Sequence, residues 1–198
     1  MARSSGDTRP GFTLIELLFS MAIMGTLTTI AVPQGLRALD DFRTRAAARY
    51  LAQRVLEARF RSITHSVTSG LRFESSSIDY LITSVEDGNG NGLRTTEILR
   101  GVDRTITPPE RLDAQFSGVA FGILDGVPDA DGGPAPGSDG VRLGVSTILS
   151  LNADGTATSG TLYVHGRGRA QYAVRVLGVT ARVRVLKFDF VTGRWVDA

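Results

Sequence analysis

The feature that most constrains this chain is a single long apolar run near its N-terminus, from Phe12 to Val32. Its 21 residues contain one ionisable side chain, Glu16, and the first proline after it is Pro33. As an α-helix the run extends roughly 32 Å, which is enough to cross the hydrocarbon core of a bilayer. A carboxylate in such a helix costs about 2.5 to 3.5 kcal/mol near the bilayer centre, so it normally has a partner. We therefore predict a transmembrane helix over residues 12–33 whose glutamate is paired.

The run itself contains no Lys or Arg that could pair with Glu16. A cut between Gly11 and Phe12 would create a partner, because the new α-amine on Phe12 would lie one helical turn from Glu16. In a bundle of such helices, each glutamate could also meet the amine of a neighbouring chain. The alternative is an uncleaved single-span anchor with an accidental glutamate. The run is too long for the apolar region of a secretory signal, so we expect it to stay on the mature protein.

The N-terminus resembles the signal of type IV pilins and type II secretion pseudopilins. A short basic leader ends in Gly11, the residues FTLIELL follow with Glu16 fifth after the cut, and Pro33 ends the apolar run. The resemblance implies that a prepilin peptidase removes residues 1–11 and N-methylates Phe12. It also implies that Glu16 pairs with a neighbour's amine during assembly. Implied partners are the peptidase, other pilins or pseudopilins, and an inner-membrane assembly platform. The implied location is the bacterial inner membrane, single-pass, with the globular part in the periplasm or otherwise outside the membrane.

Residues 34–66 predict an amphipathic continuation of the helix. Apolar residues recur at spacings near three and four, which gives one apolar stripe, while the opposite face carries arginines. The predicted stripe is Leu36, Leu39, Phe42, Ala46, Tyr50, Val55, Ala58 and Ile63. Pro33, and Gly25 as a second candidate, are the expected kink points.

Residues 67–198 predict a β-rich globular domain. Runs rich in Val, Ile, Thr, Tyr and Phe alternate with Gly, Asn and Asp clusters, which is typical of antiparallel strands. These runs are LRFE, IDYLITS, ILSLN, TLYVHG, AQYAVRVL and VTARVRVLKFDF. Residues 126–140 are rich in Gly and Pro and predict a flexible surface loop. The expected fold class is α+β: a pilin-like fold with a long N-terminal helix, transmembrane in its first half, packed on a mostly antiparallel sheet domain.

The C-terminal part resembles the globular domain of the GspH/FimT branch of pilin-like proteins. The matching positions are an NxDG-like turn at Asn152–Gly155, a GTL strand from Gly160, and a late GRxR-like motif at 181–184. Ala181 replaces the glycine of that motif. This substitution argues against any role that needs the backbone freedom of glycine. The implied function is a minor pseudopilin of a type II secretion pseudopilus for protein export. The alternatives are a type IV pilus minor pilin that binds DNA for natural transformation and, from another class, a membrane-anchored enzyme or ligand-binding domain.

The last hairpin predicts a cluster of arginines on one face. If Gly178 and Val179 form a two-residue turn, Arg175 lies opposite Arg182, and Arg184 shares their face. Like charges directly opposite each other are unfavourable, so this face is either splayed in solvent or has an anionic partner. The three arginines could bind DNA phosphates, as the resemblance to DNA-binding FimT pilins implies. The alternative, a solvated arginine face or a subunit contact, fits the scarcity of nearby aromatic residues.

One segment resembles the first half of a calcium loop. Asp87, Asn89 and Asn91 alternate before a glycine, but the twelfth position is Ile98 where such loops carry a glutamate. A glycine-rich turn is the alternative. With no cysteine and two histidines, the chain can form neither a thiolate metal site nor a three-histidine one. No nucleophile elbow, phosphate loop or dinucleotide fingerprint occurs. We therefore predict no enzymatic activity and no cofactor, with calcium the one ion left open.

Overall fold

The longest element is helix α1, which spans Leu14–His65. A computed structural model describes residues 11–133, 137–144 and 146–198, so the predicted leader lies outside the described residues except for Gly11. The chain divides into two compact units, Met1–Ala38 and Leu39–Ala198. Helix α1 contributes residues to both, and each unit is described by itself below.

In the first unit, α1 contains a segment that is long and apolar enough to cross a membrane, judged by length and composition. Its hydroxyl groups are satisfied within the helix. Ser20 donates a hydrogen bond to the carbonyl of Glu16 at 2.7 Å, and Thr28 donates to that of Met24 at 2.7 Å. Such bonds remove the cost of exposing a free hydroxyl to hydrocarbon. Pro33 lies inside α1, and its role as a kink stays a prediction.

The second unit contains two antiparallel sheets. In sheet A the strand order is β3-β2-β1-β7, and β4 also pairs with β2. Its strands are β1 (Ser69–Ser75), β2 (Tyr80–Glu86), β3 (Arg104–Thr105), β4 (Glu110–Arg111) and β7 (Ile148–Leu151). In sheet B the order is β11-β10-β9-β8-β5, and β6 also pairs with β8. Its strands are β5 (Ala120–Phe121), β6 (Val141–Arg142), β8 (Gly160–His165), β9 (Gln171–Leu177), β10 (Arg182–Asp189) and β11 (Arg194–Asp197).

The predicted α+β fold class is therefore confirmed, and each of the six predicted apolar runs contains a strand. Two short helices were not predicted: α2 (Thr95–Arg100) and α3 (Leu112–Gln115). Four strands of two residues and β11 were also missed, because segments this short carry no readable alternation. The main core lies between α1 and the two sheets and includes Leu51, Phe73 and Leu162, all fully buried.

The face that α1 presents to this core differs from the predicted stripe. Val55 and Ala58 are buried as predicted, but Phe42 is 69% exposed and Ile63 is 51% exposed. The buried face consists mostly of small residues: Thr44, Ala47, Ala48, Leu51, Ala52, Val55, Ala58 and Ser62. Small side chains let the helix approach the strands closely, so the larger apolar residues lie on other faces. The predicted stripe was therefore wrong at both of its ends.

Two carboxylates at the start of this helical segment attach it to sheet B. Asp40 accepts hydrogen bonds from the backbone N–H groups of Arg167 and Gly168, both at 2.9 Å. Asp41 forms an ion pair with Lys187 at 2.7 Å and accepts a hydrogen bond from the Tyr172 hydroxyl. Both acids of this segment are therefore used within the fold.

Candidate functional site: the N-terminal segment, the arginine face and the Asp87 loop

The first candidate site is the N-terminal segment, where Gly11, Phe12 and Thr13 precede the first residue of α1. Phe12 is 78% exposed, and Glu16 lies in the first helical turn. Within the described residues, the Glu16 carboxylate has no hydrogen-bond or ion-pair partner. The partner predicted for it, an amine on Phe12 or on a neighbouring chain, requires cleavage after Gly11. The geometry leaves the carboxylate available, one turn from the predicted cleavage position.

Thr13, part of the FTLIELL motif, has a capping role that the sequence analysis did not assign. Its hydroxyl accepts a hydrogen bond from the backbone N–H of Glu16 at 3.3 Å, which makes Thr13 the N-cap of α1. The signal was readable, because Thr13 and Glu16 have the spacing of a capping box ahead of an apolar run. The cap fixes where the helix begins and therefore how far Phe12 lies from Glu16.

The second candidate site is the face of sheet B that carries Arg175, Arg182 and Arg184. The predicted register of its hairpin was wrong: Arg175 pairs with Arg184, and Arg182 pairs with Leu177. The turn contains four residues, Gly178 to Ala181, instead of two. The register differs by two residues, so each side chain stays on its predicted face.

Local contacts explain this longer turn. Ala181 has a φ of 48°, in the left-handed region that favours glycine. Gly178 lies against Ser159, where an added Cβ would come within 2.4 Å of the hydroxyl oxygen. Ala181 therefore adopts the conformation for which a glycine would be preferred, and its methyl group is fully buried.

Two of the three arginines have carboxylate partners within the fold. Arg175 forms an ion pair with Asp131, and Arg184 donates to both carboxylate oxygens of Asp197, at 2.8 and 2.9 Å. These partners separate the like charges that lie opposite each other on β9 and β10. Arg182 is exposed and has no partner among the described residues. Of the three arginines that the sequence analysis named as possible DNA-binding residues, the face thus offers an external anion one free guanidinium.

Asp131 belongs to the Gly- and Pro-rich loop 126–140, and the described part of that loop covers the aromatic residues of this face. The Tyr163 hydroxyl donates to Asp129 at 2.9 Å, and the Trp195 indole N–H donates to the carbonyl of Pro128 at 3.0 Å. Burial raises the pKa of Tyr163 to about 12, and the Asp129 carboxylate contributes to the increase. The Tyr163 ring is fully buried and is therefore not free for stacking on a nucleic-acid base.

The third candidate site is the loop that follows β2, where the Asp87 side chain is buried and is surrounded by backbone N–H groups of the same loop. One of its carboxylate oxygens accepts hydrogen bonds from the N–H groups of Asn89 and Gly90, and the other from that of Gly92. Burial alone would raise the pKa of Asp87, but these backbone donors outweigh it and hold the pKa below its ordinary value. Gly90 and Gly92 have φ values of 79° and 85°, which the wrapped backbone requires.

The fit of this loop to calcium can be tested on its oxygen atoms. The side-chain amides of Asn89 and Asn91 donate to the carboxylate of Glu97, at 3.3 and 3.0 Å. Glu97 thus places a carboxylate beside Asn89 and Asn91, although it lies one residue before the position at which calcium loops carry their glutamate. Among the described residues, no group of three or more His, Cys, Asp or Glu side chains could hold a metal ion. Calcium binding at Asp87, Asn89 and Asn91 stays a prediction.

Both histidines make contacts inside the fold, and among the described residues neither imidazole forms a hydrogen bond with a serine. His65 contacts the Glu86 carboxylate at 3.1 Å, and His165 contacts the carbonyl of Gly166 at 2.8 Å. The described residues therefore do not assemble a Ser/His/Asp arrangement around either imidazole.

Comparison with known proteins identifies the N-terminal segment. Residues 8–32 match the family model described as the prokaryotic N-terminal methylation motif. The chain carries a type IV pilin-like methylation signal. No curated protein and no solved structure matches the chain. The GspH/FimT resemblance of the C-terminal part therefore stays a prediction.

The methylation motif indicates the general class of the protein. It marks the chain as a pilin-like substrate of a prepilin peptidase that assembles with other pilin-like subunits. With the apolar segment of α1, it indicates membrane anchoring and pilus assembly. The candidate site for this class is therefore Gly11, Phe12 and Glu16, and neither the arginine face nor the Asp87 loop is required by it.

Proposed function

We propose that this chain is a minor pseudopilin of the GspH/FimT type that joins a type II secretion pseudopilus and takes part in protein export. The observation that carries the proposal is the Glu16 carboxylate, which has no partner among the described residues and lies one turn from Phe12 inside the methylation motif. The two antiparallel sheets packed on the second part of α1 suit a subunit whose helix assembles and whose domain decorates the filament.

The proposed mechanism begins with hydrolysis of the peptide bond between Gly11 and Phe12. The leader leaves with the new carboxylate, and Phe12 keeps an α-amine that is then N-methylated. This amine is a cation at neutral pH, since α-amino groups titrate near pH 7.7 to 8.0. In a membrane of low dielectric, the cation of one subunit and Glu16 of the next attract strongly. Their pairing removes the cost of the buried carboxylate and draws the helices together.

Mass spectrometry of the protein from its own cells tests the processing step. We expect the mature chain to begin with methylated Phe12. A chain that retains Met1 in cells with active prepilin peptidase would refute the pilin-like function.

A Glu16→Ala variant tests the assembly step. We expect normal trimming and membrane insertion, with filament incorporation reduced by about tenfold or more, because an unpaired cation then replaces the ion pair. Glu74→Ala, at a domain glutamate that is half exposed, is the matched control and should assemble as the wild type does. If Glu16→Ala is incorporated into filaments at the same yield as the Glu74→Ala control, the pairing mechanism is refuted.

We favour secretion over DNA capture because of the arginine face. A phosphate-binding surface needs guanidinium groups that are free to pair with phosphates and displace the counterions of the nucleic acid, and Arg175 and Arg184 are both paired with carboxylates. Loss of export in a strain lacking this gene, with natural transformation intact, is the expected phenotype. The reverse phenotype would establish the DNA-binding minor pilin instead.

A further inference from the structure

The loop that follows β2 contains two asparagines that are each followed by a glycine, Asn89 before Gly90 and Asn91 before Gly92. An asparagine in this position is prone to deamidation, because glycine has no side chain to hinder its backbone nitrogen. That nitrogen bonds to the side-chain carbonyl carbon of asparagine, and the amide nitrogen leaves as ammonia with the displaced proton. Water then opens the succinimide ring to aspartate or isoaspartate. Both asparagines are exposed, so water can reach them.

The two backbone nitrogens that would attack are both engaged in the fold. The N–H of Gly90 donates to one oxygen of Asp87 at 2.8 Å, and the N–H of Gly92 donates to the other at 2.7 Å. The attack requires the amide to lose its proton, and an amide anion beside a carboxylate is unfavourable because like charges repel. The backbone donors also lower the pKa of Asp87, so its carboxylate is a weak base and leaves the proton on the amide.

The side-chain amides that would be attacked are held as well. The NH₂ groups of Asn89 and Asn91 donate to the two oxygens of Glu97, at 3.3 and 3.0 Å. The side-chain carbonyl of Asn89 also accepts a hydrogen bond from the backbone N–H of Asn91 at 3.2 Å. Ring closure brings the side-chain carbon into bonding distance of the following nitrogen. Movement of either group breaks these hydrogen bonds, so the folded loop opposes the reaction.

We infer that Asn89 and Asn91 are latent deamidation sites that the Asp87 carboxylate protects. It does so by holding the backbone nitrogen of the glycine that follows each asparagine. The co-reactant is water, and protection lasts as long as the loop keeps its hydrogen bonds. These bonds all lie within the second compact unit, so the protection holds whichever assembly the subunit joins.

Deamidation of either asparagine would also hinder the loop from closing again. The product carboxylate replaces an amide donor beside Glu97, and two neighbouring carboxylates repel each other. Helix α2, which contains Glu97, then loses a hydrogen bond to the loop. The modification therefore records that the loop has opened.

Mass spectrometry of the purified full-length protein in detergent tests the inference. Trypsin cleaves after Arg72 and Arg94, so one peptide, residues 73–94, contains both asparagines, and its fragmentation assigns each site. The protein is incubated at mildly alkaline pH, either folded or unfolded in urea. We expect deamidation at both sites to be about tenfold or more slower in the folded protein, because hydrogen bonds to a carboxylate must break first. Equal rates in the two conditions would overturn the inference.

Asp87→Ala measures the part that the carboxylate plays. Deamidation at Asn89 and Asn91 should become about tenfold faster than in the wild type, because the glycine nitrogens lose their acceptor. Leu51→Ala is the matched control, since it destabilises the core at a fully buried position and leaves the hydrogen bonds of the loop in place. Its rates should stay close to those of the wild type. Equal acceleration in the two variants, or unchanged or slower deamidation in Asp87→Ala, would overturn the inference.

Asp87→Ser keeps the test decisive if circular dichroism shows that Asp87→Ala does not fold. A serine hydroxyl can accept one backbone N–H of the loop, but it carries no negative charge. We expect deamidation at a rate between those of the wild type and the unfolded chain. A rate equal to or below that of the wild type would show that the carboxylate gives no protection, and would overturn the inference.

Discussion

Replacing Asp87 with asparagine should destabilise the domain in a way that depends on pH. Asp87 is 6% exposed, and its two oxygens accept three backbone N–H bonds at 2.7 to 3.0 Å. In Asp87→Asn, one oxygen becomes an NH₂ group. If that group takes the place opposite the N–H of Gly92, two donors face each other. Because hydrogen bonds to a charged acceptor contribute about 1.5 to 3 kcal/mol each, we expect a loss of about 2 to 3 kcal/mol at pH 7.

The sign of the pH dependence follows from the lowered pKa of Asp87. A carboxyl group with a lowered folded pKa stabilises the protein fully above its unfolded pKa, about 3.9 for aspartate. That contribution is lost as the pH falls through the lower folded value. The difference between wild type and Asp87→Asn should therefore be largest at pH 5 to 7 and shrink below about pH 4.

Urea unfolding of an anchor-free fragment, residues 34–198, measures this difference. The fragment contains the whole compact unit Leu39–Ala198. Asp125→Asn is the matched control, because Asp125 is exposed and has no partner among the described residues. A loss that is equal at pH 3 and pH 7, or equal in the two variants, would refute the reasoning from the backbone donors.

Three further outcomes are expected in the same fragment. Leu51→Ala, at a fully buried position, should cost about 2 to 5 kcal/mol in urea unfolding, whereas Phe60→Ala should change it by less than about 0.5 kcal/mol; equal losses would contradict the two faces of α1. In gel shifts with double-stranded DNA at low salt, the fragment should not shift, and Asp131→Ala with Asp197→Ala should produce a salt-sensitive shift by freeing two arginines; a shift by the unmodified fragment would contradict their neutralisation. Ala181→Gly should alter the free energy of unfolding by less than about 1 kcal/mol. Relief of the left-handed backbone, about 1 to 2 kcal/mol, is offset by the loss of a buried methyl group, about 0.8 kcal/mol. A larger change in either direction would show that one of these two energies is wrong.

The N-terminal segment and the strands could be predicted because their signals are local. The length of the apolar run can be counted directly in the sequence. Alternation within a strand shows which residues share a face, without knowledge of the neighbouring strands. The faces of Arg175 and Arg184 were right for this reason, even though their register was wrong. The capping role of Thr13 is equally local, because it follows from the spacing of Thr13 and Glu16.

The ion pairs of the arginine face could not be predicted from the sequence, because they depend on distant residues. Asp131 lies more than forty positions from Arg175, in a loop whose composition predicted only flexibility. Asp197 reaches Arg184 because β11 pairs with β10, and β11 was too short to recognise. The predicted length of the turn between β9 and β10 was wrong for a related reason. The turn is determined by the left-handed conformation of Ala181 and by the close contact of Gly178 with Ser159, which the sequence does not show.

These pairings change how the basic residues of the chain are weighed. By sequence, the arginines of the last hairpin are the basic residues that suggest a phosphate ligand. In the fold, Arg175 and Arg184 neutralise carboxylates, whereas Arg45 and Arg49 on α1 stay exposed without a partner among the described residues. Free charge, and not the count of charged residues, is what an external partner can bind. Exposed charge without a partner among the described residues therefore lies at Arg182 and also on the helix that carries the methylation motif, which is where a subunit of a filament would be expected to bind its neighbours.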